Sequence, residues 1–174
     1  MIAANELLAV VADFEFLDDN ARNVWLALVL TMAARPAIRG CCPLFAFDAS
    51  ARGSGKSLLV EAASLLVRGR QAPTFTWTES SEEQRKLVIS LLLGGESLLL
   101  IDNVKDGREL GGAALEAVLT TTEYSDRSLG TNGIVRAPAT AVWAATGNNQ
   151  ARKMTRAARK RRGRSESIQD FRFG

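Results

Sequence analysis

The chain predicts an α/β protein whose parallel sheet is covered by helices on both faces. Three observations carry this. Strand-like runs alternate with amphipathic helical segments along most of the 174 residues. Two runs, Ser97 to Ile101 and Thr140 to Ala145, are almost wholly apolar, as strands buried on both faces are. A third run, Pro43-Leu44-Phe45-Ala46-Phe47, leads into a loop of small residues, Ser50-Ala51-Arg52-Gly53-Ser54-Gly55-Lys56-Ser57, that opens a helix.

The elements follow in order. Asn5 to Phe16 reads as a short amphipathic helix. Asp19 or Asn20 caps a second helix through Trp25, Leu28 and Met32 that ends near Pro36. Leu44–Phe47 is the first strand, and a helix runs from Ser57 to about Val67. Thr74-Phe75-Thr76-Trp77-Thr78 alternates and is β-branched, so it reads as an edge strand. Ser80 or Ser81, with Glu83 behind, starts a helix to Leu93 that Gly94-Gly95 stops. Leu98–Asp102 is the next strand, Leu110 to Leu119 the next helix, and Thr140 to Ala145 the last buried strand. Leu44–Phe47, Leu98–Ile101 and Val142–Ala145 are expected side by side.

Composition narrows the function. The chain has no histidine, which removes His bases, Ser-His-Asp triads and His metal ligands. A metal here needs oxygen ligands, which suits Mg²⁺. Adjacent Cys41 and Cys42 make no disulfide framework and read as free buried thiols. No apolar run reaches 18 residues, and the acidic N-terminus lacks a basic leader segment, so a cytoplasmic protein without a membrane partner is expected. The charge is uneven. Residues 1–150 hold 13 Lys/Arg and 17 Asp/Glu, whereas residues 151–174 hold 9 and 2. The organisation read from this is an N-terminal helical segment at 1–40, a core at 41–150 and a poorly packed basic tail at 151–174.

The loop before Leu58 nearly meets GxxxxGK[ST], the P-loop pattern. Gly53, Ser54 and Gly55 let backbone N–H groups curl around a phosphate, at a helix N-terminus carrying about half a positive charge. Lys56 reaches the β/γ-phosphates of ATP and the Ser57 hydroxyl sits on Mg²⁺. Leu98-Leu99-Leu100-Ile101-Asp102 has the Walker B form, in which a buried strand delivers a carboxylate to its C-terminal end. Asp102 and Ser57 are the candidate metal ligands. Thr146-Gly147-Asn148-Asn149 ends the next strand, where an Asn can orient an attacking water. Each element has an ordinary alternative as turn or core structure. Three in the right order, each ending a strand, are much rarer by chance.

The order of Gly53-Ser54-Gly55-Lys56-Ser57, Leu98–Asp102 and Thr146-Gly147-Asn148 resembles the AAA+ class of P-loop ATPases. It is most similar to cores of phages and mobile elements related to superfamily 3 helicases and primase-helicases, over roughly residues 20–150. The resemblance implies a three-layer P-loop NTPase fold, ATP hydrolysis with Mg²⁺, and a role in DNA replication, with a homo-oligomeric ring if the core is complete. By it, Lys56 is the Walker A lysine, Asp102 the Walker B aspartate and Asn148 the sensor 1 residue. The stretch Glu123 to Gly130 looks like the hairpin or loop that faces the ring's pore, which makes Arg127 a candidate nucleic-acid contact.

Three departures stand out. Ser50 replaces the first Gly of the loop. Asn103 follows Asp102 where many AAA+ enzymes place a catalytic Glu; Asn positions water but cannot take its proton. Asp106, Glu116 and Glu123 are the other candidate bases. After Asn149 the family's next strand and lid are replaced by a basic stretch with almost no large apolar residues, so the lid is expected to be absent. Arg152, Lys153, Arg159, Lys160, Arg161 and Arg162 then form either a nucleic-acid arm or the scar of a truncated or frame-shifted gene. The leading expectation is an ATPase coupled to nucleic-acid processing. The alternatives are a nucleotide-binding remnant or regulatory module with little turnover, and a P-loop kinase.

Overall fold

A computed structural model describes residues 2–49, 53–104, 110–127 and 133–148, together with 172 and 173, where only the backbone is described, as at residue 2. The sheet is built from Leu44–Ala49 (β1), Thr74–Phe75 (β2), Leu98–Val104 (β3) and Val142–Asn148 (β6). Its order is β2-β3-β6-β1, and every neighbouring pair is parallel. Ile2–Ala9 (α1), Asp19–Ala34 (α2) and Lys56–Arg68 (α3) are the first three helices, followed by Ser81–Leu93 (α4) and Ala113–Val118 (α5). Glu123–Arg127 (β4) and Ile134–Pro138 (β5) form a separate antiparallel hairpin. The protein is thus a mixed α/β fold with a four-stranded parallel sheet flanked by helices.

Strand alternation divides the core in two. Phe45, Phe47, Leu98, Leu100, Val142 and Ala144 point to one face, against Trp25, Leu28, Leu59, Val60 and Ala63 of α2 and α3. Leu99, Ile101, Trp143 and Ala145 point to the other, against Val88, Ile89, Leu92, Leu115, Val118 and Tyr124. This is why β3 and β6 read as unbroken apolar runs: both faces are covered. Phe75 meets Trp143 edge-on at 6.0 Å between ring centroids, a pairing worth about 0.5–1.5 kcal/mol beyond area burial.

Two polar ties lock the layers. The Trp25 indole N–H donates to the Leu59 carbonyl at 2.8 Å, joining α2 to α3 just behind the glycine loop. Buried Arg35 donates to the carbonyls of Ile38 and Thr140, each at 2.7 Å, and of Ala139 at 3.3 Å. It pins the chain entering β6, so the far end of that strand arrives in a fixed register.

Several boundaries differ from the expected ones. The first helix stops at Ala9 rather than Phe16, and i+3 turns follow as Val11 turns into the core. Asp18, not Asp19 or Asn20, caps α2 by accepting the Ala21 N–H at 2.8 Å. The strand expected over Thr74–Thr78 pairs only at Thr74 and Phe75. Beyond them the chain is drawn off the sheet, because Trp77 donates to the Gly111 carbonyl and the Thr78 carbonyl accepts from Gln84. The helix expected over Leu110–Leu119 is shortened to Ala113–Val118. The strand expected to end at Ala145 runs on to Asn148. Cys42 is buried, but Cys41 is exposed.

One short strand of the tail is described. Arg172–Phe173 (β7) adds to the sheet parallel to β1, with Arg172 opposite Asp48 and Phe173 opposite Ala49. The stretch 150–164, with almost no large apolar residues, was expected to make no buried strand, and β7 lies beyond it, beside Phe171 in a Phe-Arg-Phe run. An open strand edge offers ladder hydrogen bonds to any backbone. Arg152, Lys153, Arg159, Lys160, Arg161 and Arg162 lie outside the described residues, as do Ser50 and Asp106.

Candidate functional site

β1, β3 and β6 lie side by side and all run the same way, so their C-terminal ends share one edge of the sheet. Ligands in open parallel sheets bind at that edge. β1 leads into the loop that precedes α3. Gly53 and Gly55 adopt φ of 78° and 80°, the left-handed region that L side chains avoid. At Gly55 a second constraint acts. A Cβ there would lie 2.7 Å from Cε1 of Phe14, so the N-terminal segment packs directly on the loop.

Lys56, the first residue of α3, is only 8% exposed. Its ammonium donates to the Ser54 hydroxyl and to Oδ1 of Asn148, both at 2.9 Å. Burial pulls its pKa below the ordinary lysine value, and the carboxylates of Asp48 and Asp102 act in the opposite direction. A cation is thus held at the loop with two acids close enough to be felt.

Asp102 accepts two short hydroxyl bonds on one oxygen. Ser57 donates to Oδ1 at 2.6 Å, and Thr146 donates to the same atom at 2.5 Å. The strand is irregular at this point. Ile101 pairs with Ala145, but the next partners are Val104 and Gly147. Two residues of β3, Asp102 and Asn103, therefore stand opposite the single Thr146. Asn103 takes up the slack at φ 54°, a conformation Asn tolerates better than most residues, and its N–H donates to Oγ1 of Thr146 at 3.0 Å.

The loop residues Ser54, Lys56 and Ser57, with Asp102 and Asn148, are thus joined by direct side-chain bonds from three segments of the chain. Asn103 sits beside them on an exposed bulge. Other candidates stand elsewhere. Arg127 is exposed at the end of β4. Glu123, also on β4, faces Arg136 at 3.6 Å, and Glu116 lies on α5. Among the described residues no group of three His, Cys, Asp or Glu could hold a metal. Ser57 and Asp102 are an oxygen pair of the kind that suffices for Mg²⁺ when phosphates and water complete the shell.

Three residues of this edge were given no role of their own in the sequence, although Thr146 stood within the third motif. Thr146 had a signal, a hydroxyl in an otherwise apolar buried strand. Asp48, buried near the end of β1, had one too, an acid following Phe45-Ala46-Phe47. Phe14 had none, because its place over Gly55 depends on how α1 folds back. Phe14 also lines, with Val11, Phe16, Asp18 and Arg22, an open surface cleft of about 460 Å³.

The arrangement offers backbone N–H groups at a helix N-terminus, a buried ammonium, and a hydroxyl and carboxylate in contact. That set can hold a phosphorylated ligand with a divalent cation. No family model matches the chain, and no curated protein matches it.

Proposed function

We propose that the chain is an ATP-binding domain of the AAA+ type, with a P-loop NTPase core, acting in nucleic-acid processing. The observation that carries this is the contact between Ser57 and Asp102 at 2.6 Å. It joins the end of one predicted motif to the end of another, at the ligand-binding edge of a parallel sheet. The Lys56–Asn148 bond at 2.9 Å adds the third motif.

In this reading the Gly53–Gly55 backbone cradles the phosphates, and the Lys56 ammonium leaves Asn148 and Ser54 to meet the β/γ-phosphates. Ser57 and Asp102 hold Mg²⁺, which when bound neutralises charge on the phosphates. The Asn148 amide, once released from Lys56, orients water. Asn103 can place water but not deprotonate it, which favours the second reading, a nucleotide-binding module with little turnover. The hairpin presents Arg127 and Arg136 as surface cations for a nucleic-acid backbone, and a homo-oligomeric ring would gather such hairpins together.

A fluorescent ATP analogue titrated into wild-type protein and Lys56→Ala, with and without Mg²⁺, tests the site. The variant should bind at least about tenfold more weakly, since a charge-assisted contact to phosphate is lost. Equal affinity in the two proteins rules out this site. Turnover measured with and without single-stranded DNA then separates the readings. Stimulation supports the motor, and binding without turnover supports the module.

A further inference from the structure

We infer that Thr146 is a positioning residue that aims the Asp102 carboxylate at the loop, an inference that rests on reading Asp102 as the Mg²⁺ ligand. A bulge puts one strand residue too many into the ladder and leaves a backbone group without its usual partner. Here, within the register shift, the N–H of Asn103 donates to Oγ1 of Thr146, at 3.0 Å. Having accepted that bond, the hydroxyl has one proton to give, and it gives it to Oδ1 of Asp102 at 2.5 Å. One side chain therefore closes the bulge and holds the acid that stands on it.

The geometry explains why a hydroxyl stands in this strand. Thr146 is 1% exposed, among Val142, Trp143, Ala144 and Ala145. A valine of nearly the same shape would serve packing alone. It would leave the Asn103 N–H without Oγ1 and the carboxylate with Ser57 as its hydroxyl donor. Ser57 is the residue that must also share its oxygen with a cation. Thr146 is the anchor that such sharing does not disturb, so the carboxylate stays aimed while the loop residues rearrange around phosphate. Partners that orient a metal ligand contribute in this way without touching the metal.

The test titrates Mg²⁺ against a fixed concentration of fluorescent ATP analogue in wild-type protein, Thr146→Val and Thr146→Ser. Melting temperatures are recorded in the absence of both ligands. The valine variant should need about tenfold more Mg²⁺ for half-maximal binding, with binding in chelator unchanged, while serine stays within about twofold of wild type. Thr146→Ala is run beside it, so that a valine variant that misfolds leaves the comparison intact. If the hydroxyl-free variants melt lower yet keep the wild-type Mg²⁺ requirement, Thr146 only closes the bulge and the inference is overturned. If wild-type binding ignores Mg²⁺ altogether, the reading of Asp102 as a metal ligand falls and takes the inference with it.

Discussion

The Ser57 hydroxyl and the Asp102 carboxylate, 45 positions apart in the chain, meet at 2.6 Å. A helix N-terminus and a strand C-terminus are brought to one point, and the contact needs the whole sheet to be in register. Asp102→Asn keeps an oxygen acceptor for both hydroxyls and removes the charge. It should lower affinity for the Mg²⁺–nucleotide by roughly tenfold to a hundredfold, or about 1.4–2.8 kcal/mol. Calorimetric titration with and without Mg²⁺ checks this. An Asn variant as responsive to Mg²⁺ as wild type would remove Asp102 from the metal site.

Gly55→Ala should destabilise the fold for two separable reasons. The residue sits at φ 80°, which costs an L side chain about 1–2 kcal/mol. The new methyl also meets Phe14 at 2.7 Å. Together these should lower the melting temperature by roughly 4–8 °C. Repeating the substitution in a Phe14→Ala background should recover only the steric share, which a double-mutant cycle reads as coupling. Strict additivity of the two substitutions would mean that Phe14 does not press on the loop.

Trp25→Phe keeps an aromatic ring at a fully buried site and deletes the bond to the Leu59 carbonyl. The loss should be about 1–3 kcal/mol. It should shift the urea midpoint without changing the slope of unfolding free energy on denaturant. A changed slope would mean that the variant has altered the compactness of a state rather than lost one tie.

Burial raises the Cys42 thiol above its ordinary value of 9.0, with the Arg35 guanidinium pulling the other way. The sign is that of an acid whose folded form holds its proton longer. Its contribution to stability is intact below pH 9.0 and is lost as the pH climbs from there through the folded-state value. Stability of the wild type should therefore fall on that alkaline limb more steeply than that of Cys42→Ala. Equal slopes would show that Cys42 is not held protonated. An aromatic disulfide reagent at neutral pH should modify exposed Cys41 quickly and Cys42 only after unfolding.

Residue chemistry alone determined much of this protein. Unbroken apolar runs at Leu98–Ile101 and Val142–Ala145 specify strands covered on both faces, because nothing else buries every side chain in a row. Thr74–Thr78, with its alternation, reads as an edge strand, and the part of it that pairs, Thr74–Phe75, lies at an edge. Gly53 and Gly55 mark a loop with left-handed backbone, and the acids and amides that end the apolar runs mark the strand ends. Lys56, Ser57, Asp102 and Asn148 were legible as candidates for this reason. Local pattern failed where a distant partner overrides it. Trp77 leaves the sheet for the Gly111 carbonyl. Arg172–Phe173 joins the sheet beside β1, far along the chain from its partner strand. The tertiary structure alone decided the rest. It set Phe14 on Gly55, felt Asp48 and Asp102 at Lys56, and slipped β3 by one residue so that Thr146 faces both Asp102 and Asn103. A bulge is a property of two strands in register, and hydroxyl-to-carboxylate contact is a matter of ångströms between segments far apart in the chain. Neither has a signature within one stretch of residues.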